Sequence, residues 1–176
     1  MERLVSDRNV LNEFVADFVK VLGRHKVKYI LVSGFVAIAH GRSRGTEDVD
    51  LIIERLPKER FLLLHMDLIK EGFECLQGNN PAELFGLYLS ADLSLRYVRK
   101  GWFVPEMELK AAKDPLDEYQ LQHRVKLPLT GLPFYFSDIE TNLAFKEELL
   151  KSEKDLEDAR HLRIIYSGKI SENKIK

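Results

Sequence analysis

"SGFVAIAHGRSRGTEDVDLIIE", residues 33–54, decides how the rest of the chain is read. An apolar run, Tyr29 to Val32, leads into it, and Leu51 to Ile53 closes it. Between them stand a glycine, a short apolar segment, a basic link and two aspartates one residue apart. Side chains on a strand alternate between faces, so Asp48 and Asp50 point one way while Val49, Leu51 and Ile53 point the other. Two like charges at that spacing repel, and partial burial sharpens the repulsion. A divalent cation with oxygen preference, Mg²⁺ or Mn²⁺, is one remedy. Hydrogen bonding of a strand-capping pair to its loop is the other.

Bulk properties bound the answer without giving it. The chain has 176 residues, the size of one domain, and is 45% hydrophobic and 31% charged. Its 27 basic and 28 acidic residues leave a net charge of −1, which argues against a broad nucleic-acid or membrane-binding surface. A single cysteine, Cys75, offers no disulfide framework and suits a reducing, cytoplasmic setting. The charged opening MERLVSDRNV does not read as a secretory leader, and no apolar run approaches the ~20 residues of a membrane span.

Periodicity supplies a coarse map. Ser6 to Leu22 is expected as an amphipathic helix ended by Gly23, and Tyr29–Val32 and Asp48–Ile53 as strands. Gly34 to His40 reads as a short helix after a tight turn. A further helix opens at Pro57 and runs to about Glu71. Phe73–Leu76 is a short strand, Gly78-Asn79-Asn80-Pro81 a break, and Leu87–Val98 a long strand that carries Asp92. Lys100–Arg124 is ambiguous. A hairpin spans Val125–Leu129 and Leu132–Phe136 around Thr130-Gly131. Helices follow over Asp138–Leu150, capped by Ser137 with Glu140, and Glu153–Tyr166, with a frayed tail over 167–176. The expected fold class is α/β or α+β: one domain over 1–176, with a small mixed sheet over about 27–136 and a helical C-terminal region over about 138–166.

The loop raises the weight of the paired aspartates. Gly34 lets backbone N–H groups and a helix N-terminus face a phosphate. Gly41, Arg42, Arg44 and Gly45 form a basic link, and Thr46 sits two residues before Asp48. Far along the chain, Lys146 falls on the apolar stripe of its helix, where a lysine is costly unless paired or snorkelling to solvent. Asp155 occupies the apolar side of the next helix, and with Ser152 three positions earlier the pattern Ser152-x-x-Asp155 also reads as a cap.

This combination resembles the nucleotidyltransferase superfamily related to DNA polymerase beta. The matching residues are Ser33-Gly34, Ala37, His40-Gly41, Arg44, Thr46, Asp48 and Asp50, with Ser33 standing where the family's pattern has a first glycine. The nearest resemblance is to the minimal nucleotidyltransferases of toxin–antitoxin systems, including the AbiEii-like toxins, supported by Lys146 and the run Lys154-Asp155-Leu156-Glu157-Asp158. The resemblance implies a nucleotidyltransferase fold and transfer of a nucleoside monophosphate from a nucleoside triphosphate to an acceptor hydroxyl. That acceptor would be on a tRNA, a protein or a small molecule. It implies metal ligation by Asp48, Asp50 and a third carboxylate, here expected as Asp92, with Asp67, Glu106 and Glu108 as weaker substitutes. It implies nucleotide contacts from Ser33, Gly34, Arg44, Thr46, Lys146 and Asp155, and a cognate toxin or antitoxin protein as partner. A catalytically quiet relative acting as a binding partner is the alternative.

Overall fold

The computed structural model describes residues 2–32, 48–126 and 132–169, with backbone alone at 2–9, 145, 149 and 150. Helix α1 (Glu2–Arg24) is followed by strands β1 (Tyr29–Val32) and β2 (Asp48–Ile53), then α2 (Lys58–Lys70) and β3 (Phe73–Cys75). Helix α3 (Pro81–Leu87) and a 3-10 turn (Leu89–Ala91) precede β4 (Leu95–Arg99) and β5 (Glu106–Ala111). Helix α4 (Pro115–Gln122), β6 (Val125–Lys126), β7 (Tyr135–Phe136), α5 (Ile139–Ala144) and α6 (Glu153–Ile165) complete the order. Among the described residues the strands form one seven-stranded mixed sheet in the order β3-β4-β5-β2-β1-β7-β6. No helix among them is long and apolar enough to cross a membrane.

The two central pairings fix the sheet. β1 and β2 are antiparallel, with Val32 opposite Asp50, whereas β2 and β5 are parallel, with Asp48 opposite Glu106 and Asp50 opposite Glu108. β7 runs parallel to β1 through Leu31 and Phe136. The C-terminal ends of β1, β4 and β7 and the N-terminal ends of β2 and β5 therefore lie at one end of the sheet.

The strands' alternation sorts the two faces. Val49, Leu51, Ile53, Leu95, Tyr97, Met107 and Leu109 are fully buried on one face, in the same core cluster as Phe14 and Phe18 of α1 and Phe61 and Leu64 of α2. Phe18 meets Phe73 and Tyr97 edge to face at 5.2 and 5.6 Å, contacts worth about 0.5–1.5 kcal/mol each beyond the area they bury. The opposite face has a small apolar patch at one side only, where Leu121 of α4 joins Ile30, Ala112, Val32 and Ile52.

Several expectations change. α1 is longer than expected and Gly23 lies inside it; the reversal falls at Lys26, at φ 54°. Leu87–Val98 is not one strand, because the chain turns through the 3-10 segment and Asp92, at φ 60°, before β4 begins at Leu95. The ambiguous segment holds β5 and α4. Only Val125–Lys126 and Tyr135–Phe136 of the expected hairpin pair as strands; residues 127–131 lie outside the described residues. Asp138, not Ser137, caps α5 by accepting the Thr141 N–H at 2.7 Å, while the Ser137 hydroxyl donates to Gln120 at 2.9 Å. The expected helix Asp138–Leu150 changes to π-helical winding over Phe145–Leu150.

Candidate active site

The open face of the central strands carries a row of four carboxylates. Parallel register places Asp48 beside Glu106 and Asp50 beside Glu108, all on the same side. Two more residues join this face: Arg96 of β4, opposite Glu108, and Ser94 just before that strand, which hydrogen-bonds Glu108. The Arg96 guanidinium lies 4.0 Å from the Glu106 carboxylate, and the Lys110 ammonium 3.5 Å from Glu108.

The four acids feel each other. Burial pushes the Glu106 carboxyl above its ordinary value, and hydrogen bonding with Asp48 together with that residue's charge pushes it further, against the opposing pull of Arg96. For Glu108 burial alone would do the same, but hydrogen bonding with Asp50, the charge of Lys110 and the Ser94 hydroxyl outweigh it and hold the carboxyl below its usual range. A carboxyl pair that shares a hydrogen bond holds a proton in place of a cation. Among the described residues no three His, Cys, Asp or Glu side chains converge tightly enough to form a metal cage as they stand. The row nevertheless fits a hard divalent cation in donor type, being all carboxylate oxygen, and in sign, because an added positive charge relieves the repulsion that raises Glu106.

Asp92 is placed elsewhere. It precedes β4 at the other end of β2, where its carboxylate accepts a hydrogen bond from Arg55, two residues beyond the end of that strand. A single left-handed residue turns the chain there, so the side chain does not extend the strand's alternation. The acids that the sheet sets against the aspartate pair are Glu106 and Glu108. The sequence offers both only as weaker substitutes, in a segment whose fold it leaves ambiguous. The signal for them is short: Glu106-Met107-Glu108-Leu109-Lys110-Ala111 alternates polar and apolar with period two, directly after Pro105. Asp67, the other substitute, lies on α2 and pairs with Arg24 and His25.

Of the two readings of Lys146, the paired one holds: it is buried, only 2% exposed, and its ammonium lies 3.2 Å from Asp158 and 3.9 Å from Asp155 of α6. Asp158, completely buried, is a partner that the sequence pattern contained and spacing did not single out. The Ser152 hydroxyl accepts the Asp155 N–H at 3.1 Å, so the capping pattern forms. α5 begins three residues beyond β7 and therefore at the same end of the sheet as the start of β2. Ser33, Gly34, Arg44, Thr46 and the expected helix Gly34–His40 lie outside the described residues.

This mixed sheet with its flanking helices is the fold of nucleotidyltransferase-like proteins. It is similar to the antibiotic-resistance factor ANT(2″)-Ia, with a TM-score of 0.54 and 13% identity over 95% of this chain and 88% of that one. It is also similar to an antigenic nucleotidyltransferase-like protein from Paracoccidioides brasiliensis, with a TM-score of 0.51 and 20% identity over 86% of this chain and 75% of that one. No protein-family model and no curated protein matches the sequence.

Proposed function

We propose that the chain is a divalent-metal-dependent nucleotidyltransferase that moves a nucleoside monophosphate from a nucleoside triphosphate to an acceptor hydroxyl. The observation that carries this reading is the row Asp48, Asp50, Glu106 and Glu108, held in parallel register on the open face of a nucleotidyltransferase fold. Asp48 and Asp50 would hold Mg²⁺, with Glu108, opposite Asp50, as the third ligand in place of Asp92. The cation, when bound, supplies charge neutralisation around the α-phosphate. Glu108, opposite Asp50 on the open face, is the residue placed to take the acceptor's proton. The acceptor oxygen then bonds to the α-phosphorus. The bond from that phosphorus to the bridging oxygen of the β-phosphate breaks, and its electron pair leaves on pyrophosphate. Lys146 and Arg44 are the proposed counter-charges for the triphosphate, Asp155 and Asp158 fixing Lys146. Ser33, Gly34 and Thr46 are the proposed phosphate contacts. The toxin–antitoxin resemblance, and with it a cognate protein partner, belongs to the same proposal.

A thermal-shift titration with each of the four nucleoside triphosphates tests it, since a ligand that binds only the folded state raises the melting temperature. The expected result is a rise with at least one triphosphate that requires Mg²⁺ and that Asp50→Ala abolishes. No response to any triphosphate in the presence of Mg²⁺ overturns the reading.

A further inference from the structure

Helix α2 buries Phe61, Leu64, His65 and Leu68 on its inner side. Its outer side is apolar too: Leu63 and Met66 leave 61% and 64% of their surface open. At 3.6 residues per turn, Glu59, Leu63, Met66 and Lys70 fall on one stripe, within a sector about 60° wide. The stripe is apolar at its centre, acidic in the first turn and basic in the last. Its flanks differ. On one side Leu62 is half-buried and Ile69 is 44% exposed. On the other, Asp67 and Glu71 pair with Arg24, and Arg60 pairs with Glu54. Those pairs engage the charges of that flank, while Glu59 and Lys70 stand exposed at the two ends of the stripe.

We infer that this stripe docks against the same stripe of a second copy of the chain, the two α2 helices running antiparallel. A two-fold axis level with the midpoint of Leu63 and Met66 sets Leu63 against the partner's Met66 and Glu59 against the partner's Lys70. The symmetry repeats both contacts in reverse. The same rotation brings Leu62 to the partner's Ile69 along the apolar flank. The match follows from spacing, because Glu59 and Lys70 are equally far from the midpoint that Leu63 and Met66 share. A parallel pairing sets like charge against like at both ends, so the charges select the antiparallel order. That order also opposes the two helix dipoles. One stripe carries both halves of the match, which is what a second copy requires and an unrelated partner does not. A 13-residue helix is about 20 Å long, so the pairing buries less than the roughly 1,200 Å² of stable interfaces, and the dimer is weak and dissociable. The inference does not depend on the chemistry of the carboxylate row. α2 packs on the core face of the sheet, so the row on the opposite face stays open in both copies.

The test is sedimentation velocity on the full chain from about 1 µM to about 500 µM, at about 50 mM salt, where exposed charges are little screened. A monomer–dimer equilibrium that reaches dimer within that range is expected. Met66→Glu, at the centre of the stripe, should weaken it roughly tenfold or more. Glu59→Lys and Lys70→Glu should each weaken it about threefold or more, since each sets like charges together at both ends. An equimolar mixture of those two variants should form a mixed dimer tighter than either forms alone, because acid and base again meet at both ends. All three side chains are exposed, so circular dichroism at the dilute end should match the parent chain. A chain that stays monomeric at the highest concentration overturns the inference and leaves the stripe to a different protein. A dimer that Met66→Glu leaves intact overturns it as well, by assigning association to another face. A mixture that gains nothing over the single variants overturns the antiparallel match on which it rests.

Discussion

Neighbouring residues of one strand meet opposite fates in this protein. Val49, Leu51 and Ile53 of β2 are fully buried against α1 and α2, whereas Asp48 and Asp50 face the open side beside Glu106 and Glu108. The buried face is aliphatic and aromatic, and its polar pair, His65 with the Tyr97 hydroxyl at 2.8 Å, is satisfied internally. The open face gathers carboxylates, and burial, hydrogen bonding with Asp48 and that residue's charge together raise Glu106. One face stabilises the sheet, and the other spends part of that stability on holding charges together. Proteins commonly trade stability for a poised site in this way.

Four predictions break or sharpen this contrast. The largest effect is expected at Glu108→Gln, which should cut pyrophosphate release on the order of 10²-fold or more at unchanged fold, while Asp92→Asn costs less than about threefold. Equal losses from the two variants would return Asp92 to the site. On the buried face, Leu109→Ala should lower unfolding stability by about 2–5 kcal/mol in urea titration, because it leaves a cavity in a fully packed layer. Glu106→Gln should act in the other direction. Removing a charge that Asp48 opposes should raise the melting temperature by about 2–4 °C, the shift of ~1 kcal/mol in a domain of this length, while transfer activity falls. The smallest effect belongs to His65, whose ring burial holds below its ordinary value of 6.5. Below that pH the unfolded chain takes up a proton that the folded ring refuses, so stability is full above pH 6.5 and declines as pH falls through it. His65→Phe should flatten that decline in melting curves recorded between pH 7.5 and 5.5, values chosen to span roughly one unit either side of an imidazole's usual titration.

The sheet's centre was legible because its strands obey simple periods. Tyr29–Val32 and Asp48–Ile53 appear with the boundaries that the sequence indicated, and the D-x-D spacing by itself set both carboxylates on one face. The partners of that pair were not legible. β5 follows a segment with a tryptophan and a proline, which masked its period-two alternation, and parallel register between distant strands leaves no local trace. Asp92 attracted attention because apolar residues surround it, yet a left-handed turn and a 3-10 segment break that run into two pieces. Lys146 was visible as an anomaly on an apolar stripe. Asp158, its closest partner, was hidden among the other acids of Lys154–Asp158.

The parallel pairing of β2 with β5 also bears on how the chain comes off the ribosome. Asp48 and Asp50 emerge well before Glu106 and Glu108, and joining the two strands closes a loop of roughly 60 residues. Such distant pairing forms late in folding compared with local helices. A nascent or prematurely terminated chain that ends before Glu106 carries the aspartates without their opposing acids, so half-made product has no assembled row.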